Sequence, residues 1–251
     1  QLTTIDISEV SGFTDEALIM LFKSCVKLEC VSMNHMVVKD CVLQQMGESC
    51  KKLQTLNLTS SVITTCGLVA LSAHCTTLTT LRISDTFVDD AGVVSILSHN
   101  ANMIELNICG CNVGDDSMRK LSTHCRRLRK LFMDRCPLVS DVGFFAVASK
   151  CRQLREVWAN EGKFVNDNTI AALVENCRHL EVLRVHRCSK LTPAILPIMQ
   201  ENCHYLRRVE FDECRKSFKL TSAKFKVFAR ALHKQAVIVD SAGEEAFHDS
   251  E

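Results

Sequence analysis

Cysteine is the residue type whose abundance first suggests chemistry, with 15 in a chain of 251 residues. A thiolate is both a nucleophile and a soft metal ligand. Cys109-Gly110-Cys111 has the outline of half a metal or redox site. No C-x-x-C pair accompanies it, however, and no second pair completes a zinc set. His74, His99 and His124 recur at intervals of 25 residues, which could stack imidazoles. No carboxylate or cysteine joins them at ligand spacing. A nucleophile, base and orienter set is equally absent. Asn57-Leu58-Thr59 is formally a glycosylation sequon, but it falls on an expected strand of a thiol-rich chain and is read as coincidence. These residues predict no catalysis, no cofactor and no metal.

The intervals carry more information than the residues. Cys25, Cys50, Cys75, Asn100, Cys125, Cys151, Cys177 and Cys203 stand 25, 25, 25, 25, 26, 26 and 26 apart. A fixed period of this length signals a repeat architecture. Each unit reads C-x-x-L-x-x-L-x-L, then a turn, then a polar cap and an apolar-periodic segment. The strand core is Leu53, Leu56 and Leu58 in one unit and Leu78, Leu81 and Ile83 in the next. Met103, Leu106 and Ile108 follow, then Leu128, Leu131 and Met133, and later Leu180, Leu183 and Val185. Thr14, Thr64, Asp89, Ser140, Asn166, Thr192 and Thr221 are the expected helix N-caps. One strand plus one helix cannot bury its own apolar face, whereas parallel stacking makes a continuous core. The cysteines thereby become core spacers, and the histidines, each preceding a first-column residue, a solvent-edge column. Composition agrees, because 47% hydrophobic with only 6% aromatic residues suits many thin layers. No apolar run approaches the ~20 residues of a membrane span. A net charge of +1 gives no bulk attraction to nucleic acid.

The paired cysteine and leucine columns resemble the cysteine-containing leucine-rich repeat family over about residues 1–232. A second column, three residues past the last strand leucine, holds Cys111, Cys136, Cys188 and Cys214. Val10, Met36, Ser61, Thr86 and Gly162 stand there in the other units, which predicts locally different packing in the early repeats. The expectation is an α/β leucine-rich-repeat solenoid of about nine repeats, with a parallel β-sheet on the concave face and helices on the convex face. The repeat domain is placed at residues 1–234 and read as N-terminally incomplete, since Leu2 matches Leu28. Residues 235–251 are expected to add a capping strand at 236–240 and a frayed acidic tail. The start shows no signal leader. Regular cysteine columns suit unpaired, buried thiols in a reducing compartment, hence an intracellular location, cytoplasmic, nuclear or within a large assembly. The resemblance further implies a role in F-box proteins, where the array follows an F-box and selects substrates for an SCF-type (cullin-RING) ubiquitin ligase. No F-box lies within residues 1–251.

Strand alternation turns the residues flanking the strand leucines toward the concave surface. The central position runs Asp6, Ser32, Asn57, Arg82, Asn107, Phe132, Trp158, Arg184 and Glu210. The first five are small or polar. Phe132 and Trp158, the sole tryptophan, then stand on adjacent strands about 4.8 Å apart. Val182, Arg184 and His186 follow on the next strand, with Lys130, Asp134, Glu156, Asn160 and Arg208 nearby. Exposed aromatics ringed by charge have the make-up of a binding hot spot, and Arg184 is placed to stack on the indole. A basic ridge between helix and strand includes Lys51, Lys52, Arg126, Arg127, Arg129, Arg152, Arg155, Arg178 and Arg207. It either complements helix C-termini or meets an acidic surface, of a partner or of the chain's own tail. Nucleic acid fits poorly, because no exposed aromatics interleave with the ridge. The sequence thus predicts a protein–protein interaction scaffold that holds its partner on the concave face. Two other roles stay open. One is a structural or adaptor subunit of a large cytoskeletal or ribosomal assembly, and the other a receptor for a small anionic ligand through Arg82, Arg184 and Arg208.

Overall fold

The computed structural model describes residues 2–211 and the backbone of residues 237–239. Strands β1 (Thr4–Asp6), β2 (Cys30–Ser32), β3 (Thr55–Asn57), β4 (Thr80–Arg82) and β5 (Glu105–Asn107) alternate with helices α1 (Asp15–Ser24), α2 (Asp40–Ser49), α3 (Thr65–Ser72) and α4 (Asp90–His99). The alternation continues through α5 (Asp115–His124), β6 (Lys130–Phe132), α6 (Asp141–Lys150), β7 (Glu156–Trp158), α7 (Asp167–Asn176), β8 (Val182–Arg184), α8 (Ile195–Asn202) and β9 (Arg208–Glu210). A last strand, β10 (Val237–Val239), pairs with β9. All ten strands form one parallel sheet in chain order. This is the α/β leucine-rich-repeat solenoid that the period predicts.

Each strand from β2 to β9 is centred on one fully enclosed apolar residue. Val31, Leu56, Leu81, Leu106, Leu131, Val157, Leu183 and Val209 are fully enclosed. Each faces its counterpart in the next repeat, as Leu56 does Leu81 and Leu106 does Leu131. Parallel neighbours require a crossover connection, and every helix supplies one. The helices turn apolar residues inward at helical spacing, for instance Val93, Ile96 and Leu97 in α4 or Phe144, Val147 and Ala148 in α6. One continuous core runs from Ile7 to Phe211.

The two cysteine columns have distinct hydrogen-bonding tasks. In the first, the Sγ atoms of Cys50, Cys125 and Cys177 lie 3.8, 3.7 and 3.4 Å from the carbonyl oxygen of the preceding column residue. Asn100 does the same work more tightly, its Nδ2 donating to the Cys75 carbonyl at 3.0 Å. In the second column, Cys111, Cys136 and Cys188 donate to the carbonyls of Ile83, Ile108 and Ala159 at 3.0, 3.2 and 3.4 Å. Ser61 replaces the thiol there and donates to Met33 O at 2.6 Å. Thr86 turns instead to the carbonyl of Ile83 in its own repeat, at 2.7 Å. The early repeats therefore differ in donor rather than in backbone course. All 14 described cysteines are free thiols, and no cluster of potential metal ligands occurs among the described residues. His74, His99 and His124 are exposed. No described helix is long and apolar enough to cross a membrane.

Helix starts largely follow the expected caps. Thr14, Thr64, Asp89, Ser140 and Asn166 each accept a hydrogen bond from the first turn. Thr192 does not cap its helix in this sense. α8 begins at Ile195 after Ala194, and the Thr192 hydroxyl instead accepts the Ala194 N–H at 3.3 Å and donates to Asp167. Lys39 and Gly114 hold the cap positions of α2 and α5 without any side-chain bond. For α5 the previous repeat compensates. Asp90 Oδ1 accepts from the backbone N–H groups of Gly114 and Ser117, each at 3.0 Å. The expected cap Thr221, the second-column Cys214 and the tail at 241–251 lie outside the described residues.

Candidate functional site

The sheet register places the predicted concave row as a true row. Asn57 faces Arg82, Arg82 faces Asn107, Asn107 faces Phe132, Phe132 faces Trp158 and Trp158 faces Arg184. Parallel strands about 4.8 Å apart leave in-register large side chains no choice but contact. The Phe132 and Trp158 ring centroids are 4.5 Å apart at 56°. On the other side of the indole, the Arg184 guanidinium lies 4.1 Å from the ring centre. Trp158 is thus sandwiched between a ring and a cation. One expectation requires correction: Phe132 is not exposed but only 8% accessible, since the neighbouring indole packs against it. Trp158 itself is half-buried.

Around the sandwich runs a second row of alternating charge. Register sets Glu105 beside Lys130, Lys130 beside Glu156, Glu156 beside Val182 and Val182 beside Arg208. The Lys130 ammonium is 3.5 Å from Glu156 and 4.0 Å from Glu105. Glu156 Oε1 also accepts the Trp158 indole N–H at 3.0 Å, which fixes the indole's edge. Glu105 is buried, and Arg82 Nε reaches it at 2.6 Å. At the far side Glu210, also buried, receives His186 Nε2 at 2.7 Å and the Arg208 guanidinium. Arg184 Nε is 3.3 Å from Glu210 Oε2 without the alignment of a hydrogen bond. Burial pushes the Glu210 carboxyl upward, but the His186 and Arg208 hydrogen bonds and the Arg184 charge outweigh it, leaving it below the ordinary value.

Asp134 and Asn160 have a structural task beside any binding one. Asp134 Oδ1 accepts the Asn160 N–H at 2.8 Å, and Asn160 Oδ1 accepts the His186 N–H at 2.8 Å. Cys109 Sγ begins this ladder by accepting the Asp134 N–H at 3.2 Å. Each rung ties the exit of one strand to the next repeat. Burial pushes the Asp134 carboxyl up despite its bonds to Asn160.

All ten predicted residues therefore lie on strands β6 to β9 or, for Asp134, Asn160 and His186, two residues past a strand's end. The sequence reading missed the carboxylates Glu105 and the full role of Glu210, which hold the arginines in place. The signal was available in the first strand position, where Glu105, Lys130 and Glu156 alternate in sign. Toward the early repeats the sandwich opens into a shallow recess of about 500 Å³ with Asn57, Arg82, Asn107, Phe132 and Trp158 in its lining. Of the three arginines considered for an anionic ligand, each is already engaged by a carboxylate. On the basic ridge, Arg127 bonds Asn102 at 3.2 Å and Arg155 pairs with Glu181 at 2.9 Å. Arg126, Lys150 and Arg152 line a separate recess of about 410 Å³.

The repeat geometry and the concave row together define the class: a leucine-rich-repeat solenoid with an open sheet face. Comparison with known proteins agrees. A family model described as Leucine Rich repeat matches residues 49–72, 74–97 and 99–122. A search of curated proteins finds no match. Among solved structures, a chain of the Rad7 and Elc1 complex in yeast is similar with a TM-score of 0.60 and 16% identity, over 95% of this chain and 76% of that one. The leucine-rich repeat-containing protein LegL7 from Legionella pneumophila gives 0.55 and 13%, over 97% and 85%. A chain from an octameric complex of Latrophilin 3, Unc5D and FLRT2 (LRR) gives 0.54 and 12%, over 94% and 68%. At these identities the likeness is one of fold.

Proposed function

We propose that this chain is a non-enzymatic protein-binding scaffold that takes its partner on the concave face, and that it selects substrates for an SCF-type ubiquitin ligase. The observation that carries the binding reading is the Phe132–Trp158–Arg184 stack. It is where the central concave row changes from small or polar to aromatic. A pre-packed tryptophan with its N–H fixed by Glu156 loses little entropy when a partner covers it, which is the economy of a hot-spot residue. Lys130, Val182, His186 and Arg208 form the surrounding rim, and Asp134 and Asn160 hold its strand exits. The ligase role rests on the resemblance to the cysteine-containing repeats of F-box proteins, with the fold likeness to a chain crystallised in the Rad7 and Elc1 complex as support. In this reading residues 1–234 are the repeat domain, residues 235–251 close it, and the protein works inside the cell. The basic ridge offers a second contact to an acidic surface.

Trp158 is the only tryptophan, so its fluorescence reports on this site alone. Affinity purification of the full-length protein with mass spectrometry identifies the partner. Adding that partner to the purified chain should shift the Trp158 emission, and Trp158→Ala should fold cooperatively yet lose about tenfold or more in affinity. Unchanged binding by the variant defeats the concave site. Recovery of a large assembly without ubiquitin-ligase subunits defeats the ligase role while leaving the site intact.

A further inference from the structure

A second surface lies on the edge of the solenoid where strands lead into helices. Two residues before the helix caps, Val37, Val62 and Phe87 stand in three consecutive repeats and are 67%, 53% and 75% exposed. They form a row, because Val37 and Val62 pair as a parallel bridge and Phe87 occupies the same place one repeat on. No fold requirement explains them. The next repeat places Asn112 at this position, and one repeat further Leu138, two residues before the Ser140 cap, is again 60% exposed, while the buried residues beside the first three, Val38, Ile63 and Val88, already supply the core. Exposed Cys41, Cys66 and Ala91, near the starts of the following helices, widen the row with a small apolar shoulder. Three neighbouring large apolar side chains in the open are a contiguous patch rather than a scattered surface residue.

Spacing and charge say what fits. The row advances about 4.8 Å per repeat, close to the ~5.4 Å rise of one α-helical turn. A helix laid along it would set one side chain per turn against Val37, Val62 and Phe87. The margin of the row is acidic. Lys39 is engaged by Asp15, whereas Glu16 and Asp89 are exposed and have no ion pair among the described residues. We propose that this edge docks an amphipathic helix of a partner protein whose apolar stripe is bordered by lysine or arginine. An anionic membrane is disfavoured by the same carboxylates, since like charges repel. The surface is separate from the concave sandwich, so the two can be occupied together.

The test uses fluorescence anisotropy with a labelled peptide about five turns long, built from leucine and lysine with leucine at helical spacing. Two controls share its length: one with the same composition scrambled to destroy the stripe, and one with glutamate in place of lysine. The striped lysine peptide should bind in a salt-sensitive manner, and both controls should bind about tenfold more weakly. The double variant Val62→Ser, Phe87→Ser should lose about tenfold in affinity with an unchanged thermal midpoint, as both side chains are exposed. Glu16→Gln with Asp89→Asn, which keeps a capping side chain, should weaken binding without touching the apolar row. Trp158→Ala should bind the peptide normally. Equal binding of the scrambled or glutamate peptide, or no loss in either double variant, overturns the proposal. So does vesicle binding by anionic lipids, or self-association of the chain, that disappears in Val62→Ser, Phe87→Ser, because each assigns the row a different occupant.

Discussion

Asn100 replaces a thiol with an amide and gains bonds by the exchange. Its Nδ2 donates to Cys75 O and Ile96 O, and its Oδ1 accepts the Leu78 N–H at 2.8 Å. Elsewhere in the array that N–H bonds the carbonyl of its own column cysteine, as Leu53 does with Cys50 and Leu128 with Cys125. Asn100→Cys should therefore restore the common arrangement and cost no more than about 1 kcal/mol, whereas Asn100→Ala leaves a hole and idle buried carbonyls and should cost about 2 kcal/mol or more. Denaturant midpoints of the two variants check this, and equal losses would contradict it. Trp158 illustrates the reverse case, a residue whose surroundings rather than its own type set its role. An isolated concave tryptophan would be an open anchor. Here Phe132, Glu156 and Arg184 have already fixed its face and edge.

The helices are joined to one another through their first residues. Asp40 accepts from Thr64 and Asp115 from Ser140, each the cap of the following helix, and Asp167 accepts from Thr192, three residues before α8. In the first two links room is made by glycine at the third helical position of the following helix, Gly67 beside Asp40 and Gly143 beside Asp115. A Cβ on Gly143 would lie 2.8 Å from Asp115 Cγ and 3.2 Å from its Cα. Ala ordinarily stabilises a helix interior over Gly by about 1 kcal/mol. Gly143→Ala should do the opposite and lower the melting temperature, because the methyl group displaces the Asp115 carboxylate from Ser140. A double-mutant cycle identifies the cause: in the Asp115→Ala background Gly143→Ala should cost clearly less than it does in the parent chain. A melting temperature that rises in the single variant would refute the inter-helix link.

Across the whole molecule, the thiol columns make stability depend on alkali. Burial pushes the thiols of Cys50 and Cys75 up to about 11, and those of Cys125, Cys151, Cys177 and Cys203 to about 12. An unfolded cysteine loses its proton near 8.5. Between those values the unfolded chain binds fewer protons than the folded one, so stability falls as pH rises, by on the order of 1 kcal/mol per pH unit for each thiol involved. With six such groups the denaturant midpoint should be flat up to about pH 8 and drop steeply between about pH 9 and 11. Thiolate ultraviolet absorbance should appear together with unfolding. Absorbance that grows while the helices persist would mean the columns are open to solvent.

The amino-acid sequence by itself determined the period, the strand centres and the inward cysteine columns, because a repeat must bury the same positions in every layer. It also determined which residues share the concave row, since strand alternation and the leucine columns, 25 or 26 residues apart, leave one register. What only the tertiary structure decided was how those residues satisfy one another. Phe132 loses its exposure to Trp158, Arg82 and Arg208 are taken up by Glu105 and Glu210, and Asp134 and Asn160 spend acceptors on strand exits. The same holds for the helix starts, where Gly114 has no cap of its own and Asp90 serves from the repeat before. Periodicity lists the members of a row, but contact distances depend on side-chain packing across repeats, and that is a property of the stacked array alone.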